Sequence, residues 1–176
     1  MNTSPEALKL LLGTQYMPKQ CPGLFQALEA EFGWEQRHIS MYGKKSPIPR
    51  LTAWAGLKDY TYSGIMNAAK AWGPTVEGLR TRWNFSGVLA NLYRDGKDCV
   101  SWHADDEEGQ GDIVSLSAGA TRKFSMRHNE TGETIDYMLS DGDVFVMSRA
   151  IQREWQHCIR RTMKDVGPRI NLTFRF

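Results

Sequence analysis

Hydrophobic residues are spaced differently in the two halves of the chain. Near the N-terminal end, Leu24, Phe25, Leu28 and Phe32 recur at intervals of three and four residues and are followed by a glycine. This spacing predicts an amphipathic helix that ends at the glycine. A second helix is predicted over residues 74–82. Beyond it, short alternating or apolar runs predict strands over residues 87–93, 113–117, 121–128, 134–138, 144–147 and 170–176.

The segments between the predicted strands are rich in residues that tolerate tight turns, such as Arg94-Asp95-Gly96. The second half of the chain is therefore predicted to be antiparallel sheet, which a double-stranded β-helix, or jelly roll, would close without long exposed edges. The expected fold class is mainly β with flanking helices. We expect a single domain, in which about residues 1–72 form N-terminal helices and a recognition lid over a jelly-roll core of about residues 73–176.

Composition narrows the class of protein. With 176 residues, 41% of them hydrophobic, the chain can bury one sizeable core. It has no apolar stretch near the ~20 residues that span a bilayer, and no signal-peptide pattern at its start. Its three cysteines, without a Cys-x-x-Cys pair, argue against a disulfide framework and a structural zinc site. We expect an intracellular monomer that does not bind membranes, cytoplasmic if prokaryotic and nuclear if eukaryotic.

The distribution of charge is more informative than the net charge of +2. Acidic residues crowd into residues 105–112, whereas basic residues gather at 122–127 and from 149 to 175. Such an asymmetry permits a surface that faces phosphates, and a merely solvated face is the alternative.

The residue types in one short segment suggest a metal site. His103 and Asp105 are two positions apart in an extended segment, so both side chains can point to one face. His157 is the best third ligand, because His38 and His128 fit structural or surface roles better. Two imidazoles and one carboxylate leave coordination positions open, an arrangement typical of non-haem Fe(II) oxygenases.

The last predicted strand carries polar residues on a single face. Arg169, Asn171, Thr173 and Arg175 alternate with apolar residues. An edge strand with its polar face in water would show the same alternation. The planar guanidinium favours bidentate binding of a carboxylate, which suggests instead a buried site for an oxo-acid beside the metal.

Taken together, these motifs resemble the AlkB family of Fe(II)- and 2-oxoglutarate-dependent nucleic-acid dealkylases, and look closest to the animal members that repair alkylated DNA. The resemblance covers about residues 39–176. It implies that the metal ligands are His103, Asp105 and His157. It also implies that 2-oxoglutarate is bound by Asn91, Tyr93, Arg169, Asn171, Thr173 and Arg175.

The resemblance extends to residues that would bind the nucleic acid. Tyr42, in a segment that includes Arg50, resembles the hairpin that duplex-acting members wedge into the base stack, and Tyr60 and Tyr62 resemble their base-clamping strand. A half-buried lobe that packs on itself is the alternative for these tyrosines. Further substrate contacts are implied for Asp106 and Glu107 at the base pocket, and Arg160 and Arg161 are candidate phosphate contacts.

The implied function is that of a dioxygenase that demethylates 1-methyladenine and 3-methylcytosine in single- or double-stranded DNA. The cofactor would be Fe(II) and the co-substrates 2-oxoglutarate and O2; formaldehyde, succinate and CO2 would be released. RNA is an alternative nucleic-acid substrate. Two rival functions remain open: an oxygenase of the same chemistry acting on RNA or protein, and a non-enzymatic, cupin-like metal-binding protein.

Overall fold

The computed structural model describes residues 22–41, 43–62, 65–105 and 111–176, and among these more residues lie in strands than in helices. The described helices are α1 (Leu24–Glu31), α2 (Pro74–Trp83) and α3 (Arg149–Glu154). The described strands are β1 (His38–Met41), β2 (Lys44–Pro47), β3 (Leu51–Gly56), β4 (Tyr60–Tyr62), β5 (Ile65–Asn67), β6 (Gly87–Tyr93), β7 (Val100–His103), β8 (Ile113–Gly119), β9 (Arg122–His128), β10 (Thr134–Leu139), β11 (Val144–Met147), β12 (Trp155–Ile159) and β13 (Arg169–Arg175).

Two antiparallel sheets form the jelly roll. The five-stranded sheet has the order β11-β8-β13-β6-β3, and the four-stranded sheet has the order β10-β9-β12-β7. Non-consecutive strands lie side by side in both sheets, as expected of a jelly roll. The predicted fold class is therefore confirmed. Two separate hairpins, β1-β2 and β4-β5, come from the N-terminal part of the chain.

The strand β13 lies inside the five-stranded sheet, so its polar face is not at a sheet edge. It pairs with β6 on one side and with β8 on the other. Arg169 and Arg175, at its two ends, are both buried. The interpretation of this strand as an edge with a solvated polar face is therefore wrong.

The hydrophobic core has two parts that lie on opposite sides of the five-stranded sheet. One part packs the sheet against the helices; it includes Leu28 of α1, Val76 of α2 and Phe174 of β13. The other fills the space between the two sheets and includes Phe124 and Trp155. Strand alternation thus directs the apolar face of β13 toward the helices and its polar face into the jelly roll.

The structure also adds elements that the hydrophobic pattern did not predict. The strand β3 forms one edge of the five-stranded sheet, although it precedes residue 73, where the core was predicted to begin. The short helix α3 connects β11 to β12, and the hydroxyl of Ser148 caps it by accepting a hydrogen bond from the Ile151 amide. None of the helices in the described part of the chain is long and apolar enough to cross a membrane.

We predict that Gly119→Ala destabilises the protein more than Gly132→Ala does. Both glycines have left-handed backbones, with φ of +88° and +70°, so each alanine should cost about 1 to 2 kcal/mol in backbone strain. A Cβ at Gly119 would also lie 2.6 Å from the Pro168 carbonyl oxygen, whereas one at Gly132 meets nothing within 4 Å. We expect the crowding to add roughly 1 to 3 kcal/mol, measured as free energy of unfolding in urea. Equal losses in the two variants would contradict this account.

Candidate active site

Three side chains with metal-binding atoms meet between neighbouring strands. His103 ends β7 and lies opposite His157 of β12 in the strand register, and Asp105 follows two residues after His103. The ligand atoms of the three side chains all lie within 4.8 Å of one another. The structure therefore brings together the three residues that the sequence predicted, at a distance that one metal ion can span.

The surroundings favour the protonation states that bind a metal. Arg175 donates a hydrogen bond to Asp105 Oδ1 over 3.2 Å. Burial alone would raise the pKa of Asp105, but the charges of Arg175, His157 and His103 and this hydrogen bond lower it to about 2. Burial, together with His103, lowers the pKa of His157 to about 3. Near neutral pH Asp105 is thus an anion and His157 is neutral, as metal ligands must be.

Neighbouring groups also orient the ligands. His103 Nδ1 lies 2.8 Å from the Ser101 carbonyl oxygen. A hydrogen bond donated by Nδ1 places the lone pair of this imidazole on Nε2. On the other side, the backbone amide of Asp105 donates to Gln152 Oε1 over 3.2 Å, which ties the backbone of Asp105 to the helix α3. Two imidazoles and one carboxylate do not complete the shell of a transition metal, so they suit an Fe(II) ion that must also accept a co-substrate.

An inner cavity of about 30 Å³ lies beside the three ligands, between the two sheets. Its walls include all six residues that the resemblance assigned to 2-oxoglutarate: Asn91, Tyr93, Arg169, Asn171, Thr173 and Arg175. Some of them already have protein partners. Thr173 donates to the Leu89 carbonyl over 3.0 Å, and Asn171 donates to Ser115 Oγ over 2.7 Å.

Arg169 is the member of this set whose charge is least satisfied. Its side chain is 1% exposed, and its Nη2 donates to Ser117 Oγ over 2.9 Å. Its Nε and Nη1 are buried without a hydrogen-bond partner in the described chain. Burial lowers the pKa of Arg169 to about 10, so the guanidinium remains charged near neutral pH. A buried cation with unused donors fits a ligand that ends in a carboxylate.

A larger outer cleft of about 230 Å³ opens next to the inner cavity. Four residues line both spaces: Arg50, Leu89, Val100 and His103. The outer cleft therefore adjoins the metal-binding cluster, because His103 lines both spaces.

Two predicted substrate residues, Arg50 and Tyr60, have protein partners in the structure. Arg50 is buried, and its Nε donates to Asn91 Oδ1 over 2.7 Å, so it lies in the wall between the two spaces and outside the hairpin β1-β2. Tyr60 stacks on Trp54 with 4.5 Å between ring centroids, and the Arg175 guanidinium carbon lies 5.3 Å from the centroid of its ring.

The remaining predicted substrate residues fall into two groups. Tyr42, Asp106, Glu107 and the side chain of Tyr62 lie outside the described residues. Arg160 and Arg161 are exposed in the segment that follows β12.

Sequence reasoning missed several residues that support the site. Ser115 and Ser117 of β8 hold Asn171 and Arg169, and their alternation within an apolar strand was a signal that could have been used. Gln152 and Arg122 are further supporting residues that sequence reasoning did not identify. The buried Arg122 guanidinium donates to the carbonyl oxygens of Asp95, Asp98 and Arg160.

Comparison with known proteins agrees with this geometry. The family model of the 2OG-Fe(II) oxygenase superfamily matches residues 11–175. A mouse protein, alpha-ketoglutarate-dependent dioxygenase alkB homolog 3, is 38% identical over 89% of this chain and 62% of its own length. The human DNA oxidative demethylase ALKBH2 is 34% identical over 86% of this chain and 67% of its own length. The solved structure of OsALKBH1 matches with a TM-score of 0.55 and 18% identity, over 83% of this chain and 85% of that one, which supports the shared fold.

The chain therefore belongs to the 2OG-Fe(II) oxygenase superfamily. Within that superfamily it is a member of the AlkB family. The name of the superfamily gives Fe(II) and 2-oxoglutarate as metal and co-substrate, and His103, Asp105 and His157 are the residues of this chain that could hold the metal. The chain spans 62% of the length of the mouse relative.

We predict unequal effects on stability when two buried arginines are replaced. Arg169→Met removes an incompletely bonded charge, so the free energy of unfolding without ligand should fall by no more than about 1 kcal/mol, or should rise. The same variant should lose the stabilisation by Mn(II) and 2-oxoglutarate, which for the unaltered protein is about 2.7 kcal/mol at a hundred times Kd. Urea unfolding with and without these ligands measures both effects.

Arg122→Met is the matched control. It removes three hydrogen bonds to backbone carbonyls and should lower the free energy of unfolding by roughly 3 kcal/mol. A large loss of ligand-free stability in Arg169→Met, comparable with that in Arg122→Met, would show that Arg169 serves the fold and not the co-substrate.

Proposed function

We propose that this chain oxidatively removes the methyl group from N-alkylated nucleobases in DNA, with 1-methyladenine and 3-methylcytosine as substrates. The reaction consumes 2-oxoglutarate and O2 and yields the unmethylated base, formaldehyde, succinate and CO2. The name of one group of relatives, DNA oxidative demethylase, supports the choice of substrate class.

One observation carries the proposal. The His103-Asp105-His157 cluster lies where an arginine-lined inner cavity meets an outer cleft of about 230 Å³. An oxidising centre between a small anion pocket and a larger, open cleft suits a reaction in which a dicarboxylate and a bulky substrate approach one ion from different sides. A purely structural metal site would need a closed set of ligands and no such cleft.

The protein's own residues bind and orient the reactants. His103, Asp105 and His157 would hold the iron, and Arg175 keeps Asp105 ionised and in position. Arg169, supported by Ser117, would pair with the distal carboxylate of 2-oxoglutarate. Asn91, Tyr93, Asn171 and Thr173 would complete the walls of that pocket.

When bound, the iron with 2-oxoglutarate and O2 supplies the two-electron oxidation that turns the N-methyl group into an N-hydroxymethyl group. The hydroxymethyl group then leaves as formaldehyde and the base nitrogen is restored, so the chain needs no nucleophilic side chain. A base within a duplex would have to flip out to enter the outer cleft. Asp106 and Glu107, which follow Asp105 directly, are suited to accept hydrogen bonds from a cationic methylated base.

Mass spectrometry of methylated oligonucleotides tests the proposal. After incubation with Fe(II), 2-oxoglutarate and ascorbate, oligonucleotides that contain 1-methyladenine or 3-methylcytosine should lose the mass of one methylene group, and His103→Ala should reduce the rate at least a hundredfold. Parallel reactions with methylated RNA and with single- and double-stranded DNA identify the preferred substrate. A well-folded, iron-loaded protein that leaves all these substrates unchanged would refute the assignment.

A spectroscopic control separates loss of the metal site from loss of the fold. Under anaerobic conditions, Fe(II) with 2-oxoglutarate should give a visible charge-transfer band that disappears in His103→Ala. The band should persist in His38→Ala, because His38 is exposed on β1. Absence of the band in the unaltered protein would favour a non-enzymatic metal-binding protein.

We further predict that Tyr42→Ala reduces demethylation of duplex DNA more than demethylation of single strands. An aromatic side chain that fills the gap left by a flipped base contributes only when a duplex must be opened. Stacking on a base is worth roughly 1 to 3 kcal/mol, so we expect a tenfold or larger loss of kcat/KM on duplex. Equal losses on the two substrates would count against Tyr42 as a wedge.

A further inference from the structure

Trp102 stands at the rim of the outer cleft, next to the metal-binding cluster. It precedes His103 on β7 and is one of the residues that line the cleft. Successive side chains of a strand point to opposite faces of its sheet. Because His103 points into the jelly roll, Trp102 lies on the outer face of the four-stranded sheet. The Trp102 side chain is half-buried, so part of it meets solvent.

Two arginines lie against the Trp102 ring. The guanidinium carbon of Arg127, on β9, is 4.5 Å from the ring centroid, and that of Arg160, directly after β12, is 5.1 Å away. Both distances are within the range of cation–π contact. The three residues come from three adjacent strands or their ends, and we call them the rim cluster.

The rim cluster is held in place by further hydrogen bonds. Arg127 Nη2 donates to Gln156 Oε1 over 3.0 Å. The backbone of Arg160 is fixed because its carbonyl accepts a hydrogen bond of 2.9 Å from the buried Arg122. These bonds restrict the Arg127 guanidinium and the backbone of Arg160, which lowers the entropic cost of binding a ligand there.

Within the described residues, the charge of the rim cluster is only weakly compensated, because Asp136 on β10 interacts electrostatically with Arg160 without forming an ion pair with it. Across residues 22–41, 43–62, 65–105 and 111–176, neither Arg127 nor Arg160 forms an ion pair. Asp136 on the neighbouring strand β10 is already bound by Lys123 over 2.8 Å and by Ser125 over 2.5 Å. Two cations on one ring repel each other, and a bound anion would relieve that repulsion.

A second arginine–tryptophan contact in the protein differs from the rim cluster in how the arginine charge is compensated. On α2, the Arg80 guanidinium carbon lies 5.9 Å from the centroid of the Trp72 ring. Arg80 also forms a salt bridge of 3.0 Å with Glu77, so its charge is already compensated. The rim cluster has the same stacking without the carboxylate.

We propose that Trp102, Arg127 and Arg160 form a phosphodiester-binding site at the rim of the outer cleft. This site would hold the backbone of the strand whose base enters the cleft, and in that respect it rests on the proposed function. One guanidinium group can donate two parallel hydrogen bonds to the oxygens of a phosphate. Every nucleotide in a strand supplies a phosphate, whatever its base. The site thus contributes affinity for the strand without selecting its sequence.

Binding of a single-stranded oligonucleotide tests this site. The probe is a fluorescein-labelled strand of about 12 nucleotides, with and without a central 1-methyladenine, and the protein carries Mn(II) and 2-oxoglutarate so that no turnover occurs. Arg127→Gln with Arg160→Gln should weaken binding of both probes roughly tenfold or more near 0.1 M salt. Removal of two phosphate contacts should also reduce the slope of log K against log salt by about 1.4.

Arg80→Gln is the matched control, because it also removes an arginine stacked on a tryptophan. The affinity of Arg80→Gln for the probes should stay within twofold of that of the unaltered protein, and its salt slope should be the same within experimental error. Wild-type affinity and salt slope in the double variant would overturn the proposal. So would an equal loss of affinity in Arg80→Gln, since the effect would then follow net charge and not the rim cluster.

Kinetics separate this proposal from the proposed function. If both are right, the double variant raises KM for the methylated oligonucleotide about tenfold and leaves kcat within twofold. If the unaltered protein demethylates nothing but the double variant still loses affinity for both probes, the proposed function fails and the phosphodiester site stands. If the unaltered protein demethylates the oligonucleotide and the double variant binds both probes as tightly as the unaltered protein does, the proposed function stands and the phosphodiester site fails.

Discussion

The interior of the jelly roll contains more positive than negative charge, and the rest of the site depends on this imbalance. Three buried arginines, Arg50, Arg169 and Arg175, line the inner cavity, and Asp105 is the carboxylate that lines it with them. Arg175 pairs with Asp105. Within the described residues, neither Arg50 nor Arg169 forms an ion pair with a carboxylate. Burying them costs free energy that only an anion can offset, which is why a dicarboxylate co-substrate suits this fold.

The sheets hold these charges where they are because of the strand register. In the five-stranded sheet, β13 lies between β6 and β8, so Arg169 faces Tyr93 on one side and Gly119 on the other. In the four-stranded sheet, the pairing of β12 with β7 places His157 opposite His103. A shift of either pairing by one residue would turn the polar set toward the helices or would separate the imidazoles. The site is thus a property of two registers that are set by distant parts of the chain.

Local pattern predicted the parts of this arrangement that depend on neighbouring residues. The alternation from Arg169 to Arg175 identified a polar face, and most strands of the second half were predicted within a few residues of their ends. The same alternation could not tell a solvated face from a buried one, because that depends on which strands flank β13. Arg122 was missed for the same reason: it binds the carbonyls of residues that precede it by more than twenty positions and follow it by almost forty. The metal and co-substrate residues were named from motif order, and their roles remain predictions.

The chain uses arginine in two physical settings, and the difference matters for how it would work. Inside the jelly roll, Arg169 is removed from water, so its attraction for a carboxylate is strong, specific and little affected by salt. At the rim, Arg127 and Arg160 are hydrated, and their attraction for a phosphate is weaker, independent of sequence and screened by salt. If the chain demethylates DNA as we propose, this division would help it to find rare lesions, because the surface contacts would let it sample a strand while the buried contacts keep the co-substrate bound.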